Sequence, residues 1–225
     1  MTAFQHVIFD CDGVLVDSEP LANAIEVALA REAGVTISPE EMARRFIGRT
    51  TREQWSELAT EHKLKLPDDL EGWVFSRAEG VLRAQLKSIA GVEALLAGLA
   101  APASVASNST AALVALKLDV TGLTPYFGGR VHSCEAVASP KPAPDLYLHA
   151  ARMAGVAPGA CLVVEDSISG LTAAVRAGAP AIGFTGGSHQ GPDAAQRLRA
   201  AGAQHVAHDM PSLARILDGL LTGPD

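Results

Sequence analysis

At 225 residues and 23.3 kDa, with an apolar fraction of 48%, the chain is long enough for one large α/β domain or a core with a smaller satellite. A formal charge of -7 without any Lys/Arg run argues against nucleic acid or an anionic membrane as a partner, so functional positive charge has to be local. Cys11, Cys134 and Cys161 are far apart, odd in number and form no C-x-x-C pair. That indicates neither a disulfide framework nor a zinc site, and suits a reducing cytoplasm. No signal-peptide apolar region precedes the charged Asp10, and the weakly charged stretch 89–116 carries too many Gly, Pro, Ser, Asn and Ala residues for a membrane span.

The first predicted element is a short buried strand, Val7-Ile8-Phe9, ending in Asp10 and Asp12 with Gly13 behind them. Two ionised carboxylates this close repel by roughly 4 kcal/mol at a protein-surface dielectric. A site that keeps both ionised normally brings in a cation, and carboxylate oxygens without nearby His or Cys suit Mg²⁺. Asp-Gly after a strand is also ordinary turn chemistry. Only the remaining chain can decide between the two.

Asp17 or Ser18 can cap the next helix, with Pro20 in its first turn and Leu21, Ile25, Ala28 and Leu29 as its apolar stripe. Gly34 ends it, and Ser38-Pro39-Glu40-Glu41 starts another. Helical patterns alone continue around Met42–Ile47, Thr51–His62 and Asp68–Leu86. A purely helical insert after the first strand departs from simple βαβ winding and reads as a separate cap module. Arg44, Arg45, Arg49 and Arg52 gather around Gly48, the densest positive charge in the chain. They can meet an anionic substrate or form a solvated helix face.

From Gly91 the pattern alternates helix and strand, which predicts a mostly parallel sheet with helices on both faces. Helix Val92–Leu99 leads to strand Ala103–Ala106, which stops at Ser107-Asn108-Ser109-Thr110. Such residues between a strand end and a helix can hold an anion or simply cap the helix. Helix Ala111–Leu118 is followed by an irregular stretch containing Gly122, Pro125, Gly128 and Gly129. Then Ser139-Pro140-Lys141-Pro142 fixes the backbone that carries Lys141, ahead of helix Asp145–Ala154. Strand Cys161–Val164 ends in Glu165 and Asp166, with Ser167 as a helix cap and Gly170 permitting close packing. Strand Ala181–Phe184 and helices near 194–201 and 212–221 complete the reading. His189 lies in a glycine-rich loop and, as a lone loop histidine, reads as solvated.

Ligands of open parallel sheets bind outside the carboxyl ends of the strands. Three such ends carry Asp10 and Asp12, Ser107 and Asn108, and Glu165 and Asp166, with Lys141 in the loop before the third. Together they compose a metal and phosphate site.

The segments D-C-D-G-V-L-V-D-S-E at 10–19, V-A-S-N-S at 105–109, K-P-A-P-D at 141–145 and V-V-E-D-S at 163–167 resemble, in order and spacing, the haloacid dehalogenase-like hydrolases. The resemblance spans essentially the whole chain. It implies a Rossmann-like α/β core (residues 1–16 and 87–225) and an inserted α-helical cap (17–86), as in the branch containing phosphoglycolate phosphatase, sugar-phosphate phosphatases and β-phosphoglucomutase. It also implies that Asp10 is the nucleophile, phosphorylated in turnover, and Asp12 the general acid and base. The ligands of Mg²⁺ would be Asp10, the main-chain carbonyl of Asp12, and Asp166, with Glu165 close behind or also bound. Ser107, Asn108 and Lys141 would hold the transferring phosphoryl group. Arg45, Gly48, Arg49 and Arg52 are the cap candidates for the far end of a small phosphorylated sugar or sugar acid.

Members similar to true haloacid dehalogenases lack the second aspartate, so Asp12 favours phosphoryl transfer. The closest rival is a β-phosphoglucomutase-like isomerase, in which the resemblance implies a cap-helix histidine four residues after Ser18. This chain has Ala22 there, which favours water as acceptor. A receiver-like phosphoacceptor module is shorter and lacks the helical insert. A catalytically silent scaffold need not keep such charge repulsion. The expected protein is a monomeric cytoplasmic phosphatase acting on a small molecule.

Overall fold

A computed structural model describes residues 4–46 and 49–222. Its organising strand is β1 (His6–Phe9), whose four residues are all buried. Val7 and Phe9 enter one apolar cluster and Ile8 the other, as expected for successive residues of a strand covered on both faces.

Among the described residues four helices follow without an intervening strand: α1 (Glu19–Glu32), α2 (Pro39–Phe46), α3 (Thr51–His62) and α4 (Leu70–Gln85). They bury Leu29, Met42, Trp55, Leu58, Val74 and Leu82 among themselves and form the small helical cap. The chain enters and leaves this cap side by side. Asp17 N–H donates to the Lys87 carbonyl at 3.0 Å and Ile89 N–H to the Leu15 carbonyl at 2.9 Å.

Helix α3 starts in a reciprocal cap that also places Gln54 within its first turn. The Thr50 hydroxyl accepts from Glu53 N–H at 3.2 Å, and the Glu53 carboxylate accepts from Thr50 N–H at 2.9 Å. Thr50→Ala is expected to cost about 1 kcal/mol. Urea unfolding checks it, as a lower midpoint at unchanged slope.

Beyond the cap come α5 (Val92–Gly98), β2 (Ala103–Ser107), α6 (Ala111–Val120), α7 (Thr124–Phe127), β3 (Val131–Ser133), α8 (Asp145–Ala154), β4 (Cys161–Glu165), α9 (Ile168–Ala177), β5 (Ala181–Phe184), α10 (Ala194–Ala200), β6 (His205–Ala207) and α11 (Met210–Thr222). The six strands lie in the order β3-β2-β1-β4-β5-β6, all parallel. The sheet is therefore wholly rather than mostly parallel. From β1 the winding goes outward through β2 to one side and through β4 to the other, so the crevice between β2 and β4 opens at the carboxyl end of β1. None of the described helices is long and apolar enough to cross a membrane.

Candidate active site

Asp10 leaves β1 with its N–H still bonded to the Val164 carbonyl at 2.9 Å, so β4 fixes its position. Its carboxylate accepts from Lys141 Nζ at 2.8 Å. That ammonium also donates to the Ala106 carbonyl at 2.7 Å and to Glu165 Oε1 at 2.6 Å. Lys141 is only 3% exposed. Burial would lower its pKa, but the Asp10 and Glu165 carboxylates overcome this and raise it.

Glu165, at the end of β4, is saturated. Tyr147 OH donates to Oε1 at 2.8 Å, while Asp166 N–H, Ser167 N–H and the Ser167 hydroxyl converge on Oε2 at 3.0, 3.1 and 2.9 Å. Gly170 makes room for it, since a Cβ there would lie 1.7 Å from Oε1. Ser167 caps α9 as expected, accepting from Gly170 N–H at 3.0 Å.

Asp10, Glu165 and Asp166 each bring a buried oxygen within 4.8 Å of the others. Burial first, then the neighbouring carboxylates, push Asp10 and Asp166 well above the usual range, against the pull of Lys141. One ammonium facing three carboxylates leaves negative charge uncompensated. An all-oxygen, buried and net-negative donor set fits a hard divalent cation. The backbone also closes tightly here: Gly13, at φ 72, lies where a Cβ would sit 1.9 Å from Asp166 Oδ2.

The Asp12 side chain stands outside this cluster. Lys117 of α6 and the Ser18 hydroxyl both donate to Oδ1, while Ser109 and Ser107 reach Oδ2 at 3.0 and 3.3 Å. Burial alone would raise its pKa, but Lys117 and the hydroxyls reverse the shift and lower it. Ser18 is thus spent on Asp12 and does not cap α1 with its side chain.

Asn108 lines one cavity together with Asp10 and Asp12. Its Nδ2 donates to the Lys141 carbonyl at 2.9 Å and its Oδ1 accepts from Lys141 N–H at 3.0 Å, which ties it to the lysine loop. His189 is not a solvated loop residue: it packs with Nε2 3.1 Å from Asp166 Oδ2, and burial lowers its pKa.

The carboxylates floor a cavity whose roof is the cap, with Glu19, Ala22, Arg49, Gln54 and Lys117 in its walls. Of the cap arginines only Arg49 lines it. Arg45 pairs with Glu57 at 2.9 Å and Glu61 at 2.6 Å, Arg49 with Glu57 at 2.6 Å, and Arg52 with Glu71 at 2.6 Å. Gly48 lies outside the described residues. Lys117, Ser18, Ser109 and Tyr147 are the site residues that sequence reasoning missed.

The model of the haloacid dehalogenase-like hydrolases matches residues 4–178. A 6-phosphogluconate phosphatase of Escherichia coli is 32% identical over 194 residues, 85% of this chain and 87% of that one. A haloacid dehalogenase-like protein of unknown function from Agrobacterium tumefaciens superposes with a TM-score of 0.79 at 40% identity, covering 96% and 98% of the two chains. A family hydrolase from Deinococcus radiodurans, solved with bound phosphate and sodium, gives 0.76 at 33% identity over the full length of both. The chain belongs to the haloacid dehalogenase-like hydrolases. Within that family it is a phosphoric monoester hydrolase.

Proposed function

We propose that the protein is a Mg²⁺-dependent phosphatase of a small phosphorylated metabolite, a sugar phosphate or sugar-acid phosphate, acting through an aspartyl-phosphate on Asp10. The observation that carries this reading is the convergence of Asp10, Lys141, Glu165 and Asp166 with Asp12 and Ser107 on one cavity. The Escherichia coli and Deinococcus radiodurans relatives support it through a sugar-acid phosphate and a bound phosphate. The paired crossings at Leu15–Asp17 and Lys87–Ile89 support a division into a core of residues 1–16 and 87–225 and a cap of 17–86.

Asp10, the main-chain carbonyl of Asp12, and Asp166 would hold Mg²⁺, which when bound supplies the positive charge that lets a phosphate dianion approach a carboxylate. Glu165, its lone pairs occupied by Lys141, Tyr147 and Ser167, serves chiefly to hold Lys141. An Asp10 oxygen attacks phosphorus, the bond to the leaving oxygen breaks, and Asp12 gives that oxygen a proton. Water then attacks the phosphoaspartate, losing its proton to Asp12 and regenerating the Asp10 carboxylate. Ser107, Asn108 and Lys141 would hold phosphoryl oxygens, and the two bonds from the Asn108 side chain to the Lys141 backbone support the pairing of these residues.

Phosphate release is measured on sugar phosphates, sugar-acid phosphates and p-nitrophenyl phosphate, with Mg²⁺ or with chelator. Turnover is expected only with Mg²⁺, and Asp10→Asn should lower it by at least about 10³-fold. Interconversion of β-glucose 1-phosphate and glucose 6-phosphate without phosphate release would overturn the reading in favour of a mutase.

A further inference from the structure

The roof of the cavity is chemically unlike its floor. Met42, Phe46, Val74 and Leu82 give it an apolar wall, and among the polar side chains set into it are Asn23 and Glu26 of α1 and Gln54 of α3. Gln54 is 7% exposed, and its Nε2 makes no hydrogen bond of good geometry, although the amide stands near enough to Glu26 to favour that carboxylate. Asn23 Nδ2 donates to the Pro39 carbonyl at 3.0 Å, which orients the amide and leaves a buried Oδ1 without a donor. Glu26 accepts from Trp55 Nε1 at 2.8 Å. Burial pushes that carboxyl up to about 7, although Trp55 and the neighbouring Gln54 amide pull it back. A donor and an acceptor, both buried and both unmet, stand in the wall of a cavity above the reacting groups. Leaving such groups unpaired is costly, so their retention there points to a ligand that pairs them.

The charges lining the cavity narrow that ligand. Arg49 faces Glu57, Lys117 faces Asp12, and Lys141 faces Asp10 and Glu165, so each of these cations already has a carboxylate. Glu19 and Glu26 add two further carboxyl groups to the walls. A second anion on the substrate would find each of these cations already paired and have to displace an existing ion pair.

We propose that the cap selects a phosphomonoester whose leaving alcohol is uncharged, has one apolar face, and offers an acceptor to Gln54 and a donor to Asn23, in preference to one carrying a second anion. The inference rests on the phosphatase reading and sharpens it. A neutral sugar phosphate and a nucleoside 5′-monophosphate share this chemistry. The relative named as a 6-phosphogluconate phosphatase acts on an ester with a distal carboxylate, so on this reading the present chain diverges from it.

The test compares kcat/KM for glucose 6-phosphate, 6-phosphogluconate, uridine 5′-monophosphate and p-nitrophenyl phosphate. Glucose 6-phosphate is a closed ring without charge beyond its phosphate, whereas 6-phosphogluconate is open-chain and carries a carboxylate at the far end. Glucose 6-phosphate or uridine 5′-monophosphate is expected to exceed 6-phosphogluconate by tenfold or more, and which one does so names the source. Gln54→Leu, which removes the unmet donor at similar volume, should reduce that ratio by about tenfold while raising the thermal midpoint. Asn23→Leu should reduce the ratio in the same direction. A preference for 6-phosphogluconate overturns the inference but leaves the phosphatase standing. So does a ratio that neither variant moves. Turnover of no ester, p-nitrophenyl phosphate included, overturns both.

Discussion

Lys141→Met is expected to lower stability by about 3–5 kcal/mol and to abolish phosphate release. The ammonium is buried and donates three hydrogen bonds, to Asp10, Glu165 and the Ala106 carbonyl. Methionine fills much of the same volume, so the loss comes from charge and not from a cavity. Two effects act together. The carboxylates of Asp10 and Glu165 lose the cation they share in a buried site, and a phosphate dianion then meets the repulsion of these two and of Asp166. Denaturant unfolding without metal reads the first effect. Repeating it with Mg²⁺ should recover part of the stability, because an ion that binds only the folded state stabilises it by RT ln(1 + c/Kd), where c is the free Mg²⁺ concentration. If methionine leaves the unfolding midpoint unchanged, the lysine is not the charge balance that its contacts describe.

The pieces legible in the sequence were those whose residue type has few alternative uses. A strand ending in two aspartates, a lysine between prolines, and a Glu-Asp pair after an apolar run are hard to explain as surface. Parallel winding then brings their ends to one crevice. The short edge strands β3 and β6 were not legible. Val131–Ser133 and His205–Ala207 have no continuous apolar run, being covered less completely than central strands, and their pairing with β2 and β5 defines them.

Side-chain partnerships were the least legible. Ser18 has the ordinary signature of a helix cap, yet a neighbouring carboxylate competes successfully for its hydroxyl. The cap arginines cluster in sequence, but their partners do not. Glu57 and Glu61, one helical turn apart on α3, are the overlooked signal that these charges could be matched across two helices. Lys117 had a signal too: it follows Leu113 and Val114 by four and three residues, which places a charge on the apolar stripe of α6. A lysine on a buried stripe calls for an acidic partner, and Asp12 is that partner.

Lys117→Met is accordingly expected to reduce kcat/KM for alkyl phosphomonoesters by about 10²-fold while reducing it for p-nitrophenyl phosphate by only a few-fold. Lys117 touches Asp12 and Ser109, with Nζ 2.9 Å from Ser109 Oγ, so it acts on the reaction by positioning the acid. An alkoxide leaves poorly until it is protonated, which makes a misplaced Asp12 costly; p-nitrophenolate leaves without a proton. Since kcat/KM reports the steps through the first irreversible one, the comparison isolates phosphoryl transfer to Asp10 from the later attack of water. A general disturbance of the site would lower both esters equally, because Asp10 and Lys141 serve both. An increase for the alkyl ester would mean that the ion pair restrains Asp12 instead of aiming it. Ser109→Ala offers a second reading of the same geometry: Asp12 keeps its salt bridge but loses one hydroxyl, so the same bias between esters should appear at a smaller amplitude.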